Sequence, residues 1–536
     1  MLDRRFLAPH AVAQWAQASP SAIAAQHVDG RSLTYAALHD SALRWAAAFA
    51  RLGIERGTHV ATMLPIGFES QLAMLGLGWI GAIDVPINAA YRGQLLHFVL
   101  DHADVTMLVI AEEYLARFVE IAGSLPEVRT VIVVNHGVDG GVDGDEPSIG
   151  ARRVVGHREF LDGVSPATDL AGPEYRDIAA LLFTSGTTGP SKAVIVPWAL
   201  VYQFWSFVPD DALSPGDGLF LPFPLFHNSG RSGFNYAMTR GARLVFRERF
   251  SAATFWDDVR ATDTTVAGLV GPLTSLLYSA PPREDDADNP LRAVVVGPMI
   301  PEMVDFERRF GVRACTSYGQ TEVGCPVATG WDHGPWSTCG RPRLDYPWHE
   351  VRIVDDNDEP VETGVVGEMA VRCAEPWALN VGYYKSPEQT VEAWRNGWFH
   401  TGDAMRCDDD GWYYFVDRLR DSIRRRGENI SSFEIENLVG EYPDIVECAA
   451  IGMRTPHGDD DVMIALIVHD RDAFDPAALM RFLEPRLPKF MLPRYVEVFD
   501  DFPRNETSMR VRKNELRARG VTEHAWDREA VTGESR

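Results

Sequence analysis

The chain has 536 residues, more than one hydrophobic core organises, so two or more domains are expected. Hydrophobic residues make up 46% and charged residues 24%, the balance of a soluble globular protein, and the formal charge of −25 argues against a broad nucleic-acid or anionic-membrane surface. The six cysteines, at 315, 325, 339, 373, 407 and 448, include no CxxC pair and read as reduced thiols rather than a zinc or disulfide framework.

The opening MLDRRFLAPH lacks the apolar run and cleavage site of a signal peptide, and a cytoplasmic, non-membrane protein is expected. Leu38, Ala42, Trp45 and Phe49 recur at helical spacing, with Gly53 as a stop, and His59 to Pro65 reads as a strand. The apolar run from Leu72 to Ile83 is too short to span a bilayer and fits a buried helix. The Gly/Asp-rich stretch from Gly137 to Gly150 and the stretch from Pro281 to Pro290 read as loops. Ile178–Phe183, Leu219–Leu221 and Ala293–Val296 fit buried strands. Strands separated by helical stretches imply an α/β fold with a substantially parallel sheet. From about Val416 a basic run, Arg418 to Arg426, leads into shorter elements. This predicts a large domain over 1–416 and a small α+β domain over 417–536.

The strongest chemical signal is Leu182-Phe183-Thr184-Ser185-Gly186-Thr187-Thr188-Gly189-Pro190-Ser191-Lys192. A strand running into a glycine- and hydroxyl-rich loop and a lysine is a phosphate cradle: glycines let backbone N–H groups approach an anion, hydroxyls donate, and lysine adds charge. Pro190 and Ser191 separate the last glycine from Lys192, which disfavours a Walker-type NTPase.

With Pro224-Leu225-Phe226-His227, Tyr318-Gly319-Gln320-Thr321-Glu322, Trp398-Phe399-His400-Thr401-Gly402-Asp403, Asp417-Arg418-Leu419-Arg420-Asp421 and Arg424-Arg425-Arg426-Gly427-Glu428-Asn429-Ile430-Ser431, this loop resembles the adenylate-forming (AMP-binding) superfamily. The stretches Arg424 to Glu434 and Ile87 to Gly93 look most like its carnitine/crotonobetaine-CoA ligase-like acyl-CoA synthetases. The resemblance implies a large N-terminal domain of mixed, largely parallel sheets layered with helices, and a small mobile C-terminal lid with a hinge near Arg420. It implies an ATP-dependent, AMP-forming ligase using Mg²⁺ and coenzyme A. Thr184, Ser185, Gly186, Thr187, Thr188, Gly189 and Lys192 would then hold phosphate, and Gly297 and Gly319 would line the nucleotide site. Tyr318 would stack on adenine, and Thr321 would meet a phosphate oxygen. Glu322 would hold the metal, a hard cation that prefers carboxylate oxygen. Asp403 would bind the ribose with support from Arg418, and His227 would sit beside the acyl and phosphate groups. Gly427 would line a thiol-donor tunnel, and the basic run 424–426 either meets coenzyme A phosphates or is a solvated face. The partners implied are a small-molecule acid and an acceptor, and a homodimer is compatible.

Two stretches depart from the family pattern. Val296-Gly297-Pro298-Met299 stands where Gly-Gly-Ala-Pro is usual, and Pro503 to Lys513 lacks the family's catalytic lysine. Counted from either end, Met509 or Arg510 falls at that place, and Arg510 keeps a permanent charge. These departures leave room for an alternative: adenylation of an unusual acid such as nitrite and transfer to an aryl amine, an ATP-dependent diazotase, or use of another amine or carrier acceptor. Segment 228–236 is polar for a fatty-acid tunnel and favours a short or polar aromatic acid, with Arg231 placed to meet a second acidic group. If Arg510 has inherited the lysine's role, Arg510→Ala slows adenylation by about two to three decades. Transfer from preformed acyl-AMP stays nearly unchanged. Assaying the half-reactions separately checks this, and lost transfer with intact adenylation would move Arg510 to the acceptor site.

Overall fold

A computed structural model describes residues 2–135, 149–184, 192–343, 349–418, 423–425, 428–430, 432–455, 460–487, 489, 491–504 and 511–532. Most of the expected loop from Gly137 lies outside these residues, as do Ser185, Gly186, Thr187, Thr188, Gly189, Arg420, Gly427, Met509 and Arg510, and Arg418 is described by its backbone alone. The described residues form two compact units, a larger one from residues 2–184, 192–351 and 371–399, and a smaller one from residues 352–370 and 400 onward. The expected division at 416/417 falls inside the strand Tyr413–Arg418.

In the larger unit, the helix Tyr35–Arg51 starts where the Thr34 hydroxyl accepts the Ala37 N–H at 3.2 Å, an N-cap that satisfies one of the first-turn donors. Leu38, Ala42, Trp45 and Phe49 are all buried, as their spacing predicts, and Gly53 follows in the left-handed region at φ 84°. The apolar run from Leu72 to Ile83 is not one helix. The helix Phe68–Ile80 ends at Gly81, φ 72°, and Ile83 opens the strand Ile83–Pro86. The left-handed turn costs glycine nothing and stops the helix despite continuous hydrophobicity.

Two seven-stranded sheets carry this unit. One runs Arg313–Cys315, Ala293–Gly297, Val266–Val270, Gly218–Phe220, Arg243–Phe246, Ile23–His27, Ser32–Thr34, and the other Arg153–Gly156, Thr130–Val134, Met107–Ala111, His59–Met63, Ile83–Pro86, Ile178–Thr184, Lys192–Pro197. In each, all pairings are parallel except the last. Parallel strands are buried on both faces, which is why runs such as Ile178–Phe183 read as continuously apolar. The smaller unit pairs Ile445–Arg454 with Asp460–Val468 antiparallel, adds Tyr495–Val498 parallel and Trp526–Asp527 antiparallel, and packs Ile435, Val439, Leu479 and Leu483 into its core. A large layered α/β unit with a smaller α+β one is the expected fold.

The helices Tyr35–Arg51 and Phe68–Ile80 touch at Gly76, where an added Cβ would stand 2.9 Å from Trp45 Cβ and 3.1 Å from the Ala46 nitrogen. Alanine gains about 1 kcal/mol in helix propensity, but overpacking costs about 1–3 kcal/mol and here it pushes on backbone. Gly76→Ala is therefore expected to lower the denaturation midpoint. An unchanged or raised midpoint would show that the two helices part freely.

Candidate active site

Thr184 stands opposite Lys192 where Ile178–Thr184 pairs with Lys192–Pro197, so the ends of the glycine- and hydroxyl-rich segment are fixed in register. On its other side Lys192–Pro197 bonds to residues 381–384. The Val381 N–H donates to the Ile195 carbonyl at 3.1 Å, the Ile195 N–H to Gly382 at 3.0 Å, and the Tyr384 N–H to Ala193 at 2.8 Å. These bonds place Tyr383 against the start of the strand, and the Lys192 ammonium lies 4.6 Å from the centre of its ring. The Tyr383 hydroxyl donates to Glu322 Oε1 at 3.1 Å. The Glu322 carbonyl accepts from the Asn380 backbone N–H at 2.8 Å and from its side-chain amide at 2.9 Å. One tyrosine thus joins the lysine of one motif to the carboxylate of another. Neither Tyr383 nor Asn380 stands in one of the motifs above; the local signal for them is an aromatic pair after a glycine, Gly382-Tyr383-Tyr384.

Thr321 and Glu322 follow the strand Ser317–Gln320, whose Tyr318 is buried opposite Val327. At Gly319 a Cβ would stand 2.6 Å from Cys325 Sγ and 2.8 Å from the Gly324 carbonyl oxygen, so only glycine fits. Gly297, at the end of Ala293–Gly297, faces open space. His227 caps the helix Asn228–Thr239 with its ring 4.8 Å from that of Phe226. Burial pushes its imidazole down to about 4, so at neutral pH it carries no charge and keeps a lone pair for a proton or a hydrogen bond.

In the smaller unit Asp403 is buried and paired in register with Arg418. Asp417 is structural: its Oδ2 accepts both the N–H and the hydroxyl of Ser432 at 2.7 Å, at the start of the helix Ser432–Gly440. Lys513, a nearby cation in the lysine-deficient segment, donates to Ser432 Oγ at 2.5 Å and pairs with Glu436 at 2.8 Å. Arg425, read from sequence as a phosphate contact or part of a solvated face, is neither. It is buried, ion-paired to Asp461 at 3.2 Å and bonded to the Leu492 carbonyl at 2.8 Å. Lys489 is exposed.

Among the described residues no group of three or more His, Cys, Asp or Glu could hold a metal ion. A Mg²⁺ that takes one protein carboxylate and draws its other ligands from phosphates and water is compatible with this, and Glu322, oriented by the neutral Tyr383 hydroxyl, fits such a role.

Residues 12–384 match the family model described as AMP-binding enzyme, and residues 434–508 match the AMP-binding enzyme C-terminal domain. The chain belongs to the AMP-binding enzyme family. It is 32% identical over 499 residues to the crotonobetaine/carnitine--CoA ligase of Salmonella typhimurium (strain LT2), covering 90% of this chain and 93% of that protein. The Salmonella typhi protein of the same name is 31% identical over the same extent. Among solved structures, ATP-bound MatB from Rhodopseudomonas palustris superposes with a TM-score of 0.81 at 24% identity, covering 96% of this chain and 99% of that one. The anthranilate CoA ligase AuaEII in complex with anthranoyl-AMP gives 0.82 at 20% identity, covering 97% and 98%. At these identities the structures speak for the fold. The family makes this protein an ATP-dependent ligase of the adenylate-forming, acyl-CoA ligase type. No helix among the described residues is long and apolar enough to cross a membrane.

A histidine held at about 4 against its ordinary 6.5 contributes stability that is fully present above 6.5 and is lost as pH falls through 4. His227→Gln is expected to lose less stability between pH 7 and pH 4.5 than the wild-type chain, in matched denaturant titrations. Parallel losses would mean that His227 titrates normally.

Proposed function

We propose that the protein adenylates a small carboxylic acid with Mg·ATP and passes the acyl group to coenzyme A. The observation that carries this reading is the Lys192–Tyr383–Glu322 arrangement at the end of the hairpin that brackets the phosphate-cradle sequence. The full-length similarity to a crotonobetaine/carnitine--CoA ligase supports coenzyme A as acceptor. No named relative points to an amine acceptor, so the nitrite alternative is not carried further.

In this reading the acid's carboxylate oxygen attacks the α-phosphorus and pyrophosphate leaves. The coenzyme A thiol then attacks the acyl carbon, a thioester forms, and AMP departs with the bridging oxygen. Bound Mg²⁺ would neutralise phosphate charge, with Glu322 as its protein ligand. Thr184, Ser185, Gly186, Thr187, Thr188 and Gly189 would line the phosphates with Lys192. Gly297, Tyr318 and Gly319 would face the adenosine, and Thr321 a phosphate oxygen. Neutral His227 accepts or donates one hydrogen bond beside the reacting carboxylate without adding charge. Asp403 and Arg418 would hold the ribose, and Arg510 would stabilise the charge developing during adenylation. We place the domain boundary at 416/417 with the hinge at Arg420, and the enzyme in the cytoplasm. Catalysis is then chiefly positioning and charge stabilisation.

Glu322→Gln keeps the shape of the side chain and removes its charge. It is expected to cut acid-dependent pyrophosphate release by about two or more decades. Near-wild-type release from a folded variant would remove Glu322 from the reaction.

A further inference from the structure

The helix that His227 caps is unusually polar for its burial: Asn228, Arg231, Ser232 and Asn235 are each 3% exposed or less. A buried arginine is retained at a cost unless it is paired and its donors are satisfied. Arg231 Nη2 pairs with Asp84 Oδ2, and Asp84 Oδ1 accepts the Thr62 hydroxyl at 2.7 Å. Arg231 Nε and Nη1 and Asn228 Nδ2 have no hydrogen-bond partner among the described residues. Asn228 and Arg231 are three residues apart and lie on one helical face. Asp84 lies on the strand Ile83–Pro86, directly beside the strand Ile178–Thr184 that leads into the phosphate-cradle sequence. With Thr62, Ser70, Leu225 and Phe226, Asp84 lines a cavity with room for about one water molecule. Leu225 and Phe226 immediately precede His227. Asp84 therefore links the two: it pairs with Arg231, beside the buried donors without acceptors, and it lines the small cavity next to the residues that lead into the helix.

From this juxtaposition we infer that Arg231, Asp84 and Asn228 form a substrate-selecting subsite for a hydroxyl at the far end of the acid. The inference rests on the adenylation reading above. The second acidic group expected from sequence does not suit the subsite, because Asp84 already balances Arg231 and a further carboxylate would bury an uncompensated charge. A hydroxyl suits it: its oxygen accepts from Arg231 or Asn228, and its proton goes to Asp84. Arg231 lies one helical turn beyond His227, about 5.4 Å along the axis, so the hydroxyl stands roughly one aromatic ring away from the reacting carboxylate. The substrate class is a monocarboxylic acid about one ring long with a distal hydroxyl.

The test compares benzoate, 4-hydroxybenzoate and terephthalate. In acid-dependent pyrophosphate release, 4-hydroxybenzoate is expected to exceed both others by about tenfold or more in kcat/KM, since a site built to bond a hydroxyl discriminates strongly against its absence. The double variant Asp84→Leu/Arg231→Met removes both charges together, leaves neither buried alone, and is expected to bring the hydroxybenzoate-to-benzoate ratio close to one. Equal use of benzoate, preference for terephthalate, or a ratio unchanged in a folded double variant overturns the subsite and leaves the adenylation reading standing. Calorimetry with the acids and no nucleotide reads the subsite separately. Tenfold tighter binding of 4-hydroxybenzoate than of benzoate upholds it even where no acid supports pyrophosphate release, a result that would sink the adenylation reading instead. Equal affinities, or no binding of either acid, overturn it.

Discussion

Lys192–Pro197 bonds to Ile178–Thr184 on one side and to residues 381–384 on the other, and this double attachment places the chemistry of the larger unit. The first pairing sets Thr184 opposite Lys192. The second brings Tyr383, almost two hundred residues later in the chain, against the same lysine. Asn380, on that returning segment, grips the Glu322 backbone twice, and the Tyr383 hydroxyl fixes its carboxylate. Backbone ladders are hard to deform, so side chains hung from them hold their spacing better than side chains on free loops. A lysine and a carboxylate from distant motifs are thereby held against one and the same tyrosine.

The smaller unit uses charge differently. Glu436 is half-buried, and desolvation pushes its carboxyl above the usual carboxylate range while Lys513 works in the opposite direction. The Ala450 N–H and Lys513 both bond to Glu436 Oε1, and Lys513 also bonds to Ser432, which is held by Asp417. This chain of contacts ties the helix Ser432–Gly440 to the start of the helix Lys513–Arg519. Asp461 likewise takes both Arg425 and Arg494, the latter at 2.8 Å. Removing one member of such a network strands the others in low dielectric, which is the usual reason they persist. Acidic and basic residues that look catalytic in a motif are here part of the scaffold.

That contrast explains what the sequence makes readable. The alternation of strands and helices, the apolar strand Ile178–Thr184 and the helix through Leu38, Ala42, Trp45 and Phe49 follow from local periodicity, which burial enforces residue by residue. The end of the next helix does not, because Gly81 breaks a run that stays hydrophobic to Ile83. Glu322 and Lys192 stand in motifs and can be named from them, whereas Tyr383 acquires its place only through a ladder to a strand far earlier in the chain. Arg231 can be picked out as a pocket-lining cation, but its meaning depends on Asp84, a residue in an ordinary apolar strand with nothing local to mark it. Pairings across long sequence separations are what a single sequence leaves hidden.

The resulting distribution of charge bears on how the acid end and the phosphate end differ. His227 is neutral at physiological pH, and Arg231, one turn further on, is balanced by Asp84. The start of the helix Asn228–Thr239 therefore presents hydrogen-bonding groups with little net charge. Lys192, by contrast, brings its ammonium against an aromatic face at the start of the strand that follows the phosphate-cradle sequence. In the smaller unit Lys513 and Arg425 are committed to Glu436 and Asp461. An ordinary acid loses its negative charge when it becomes a mixed anhydride, while the triphosphate carries several. On the proposed reading, a nearly neutral surface at the acid's far end would leave that change of charge to be met at the phosphate end alone. Shape and hydrogen bonding, rather than charge, would then be the basis on which the acid is chosen.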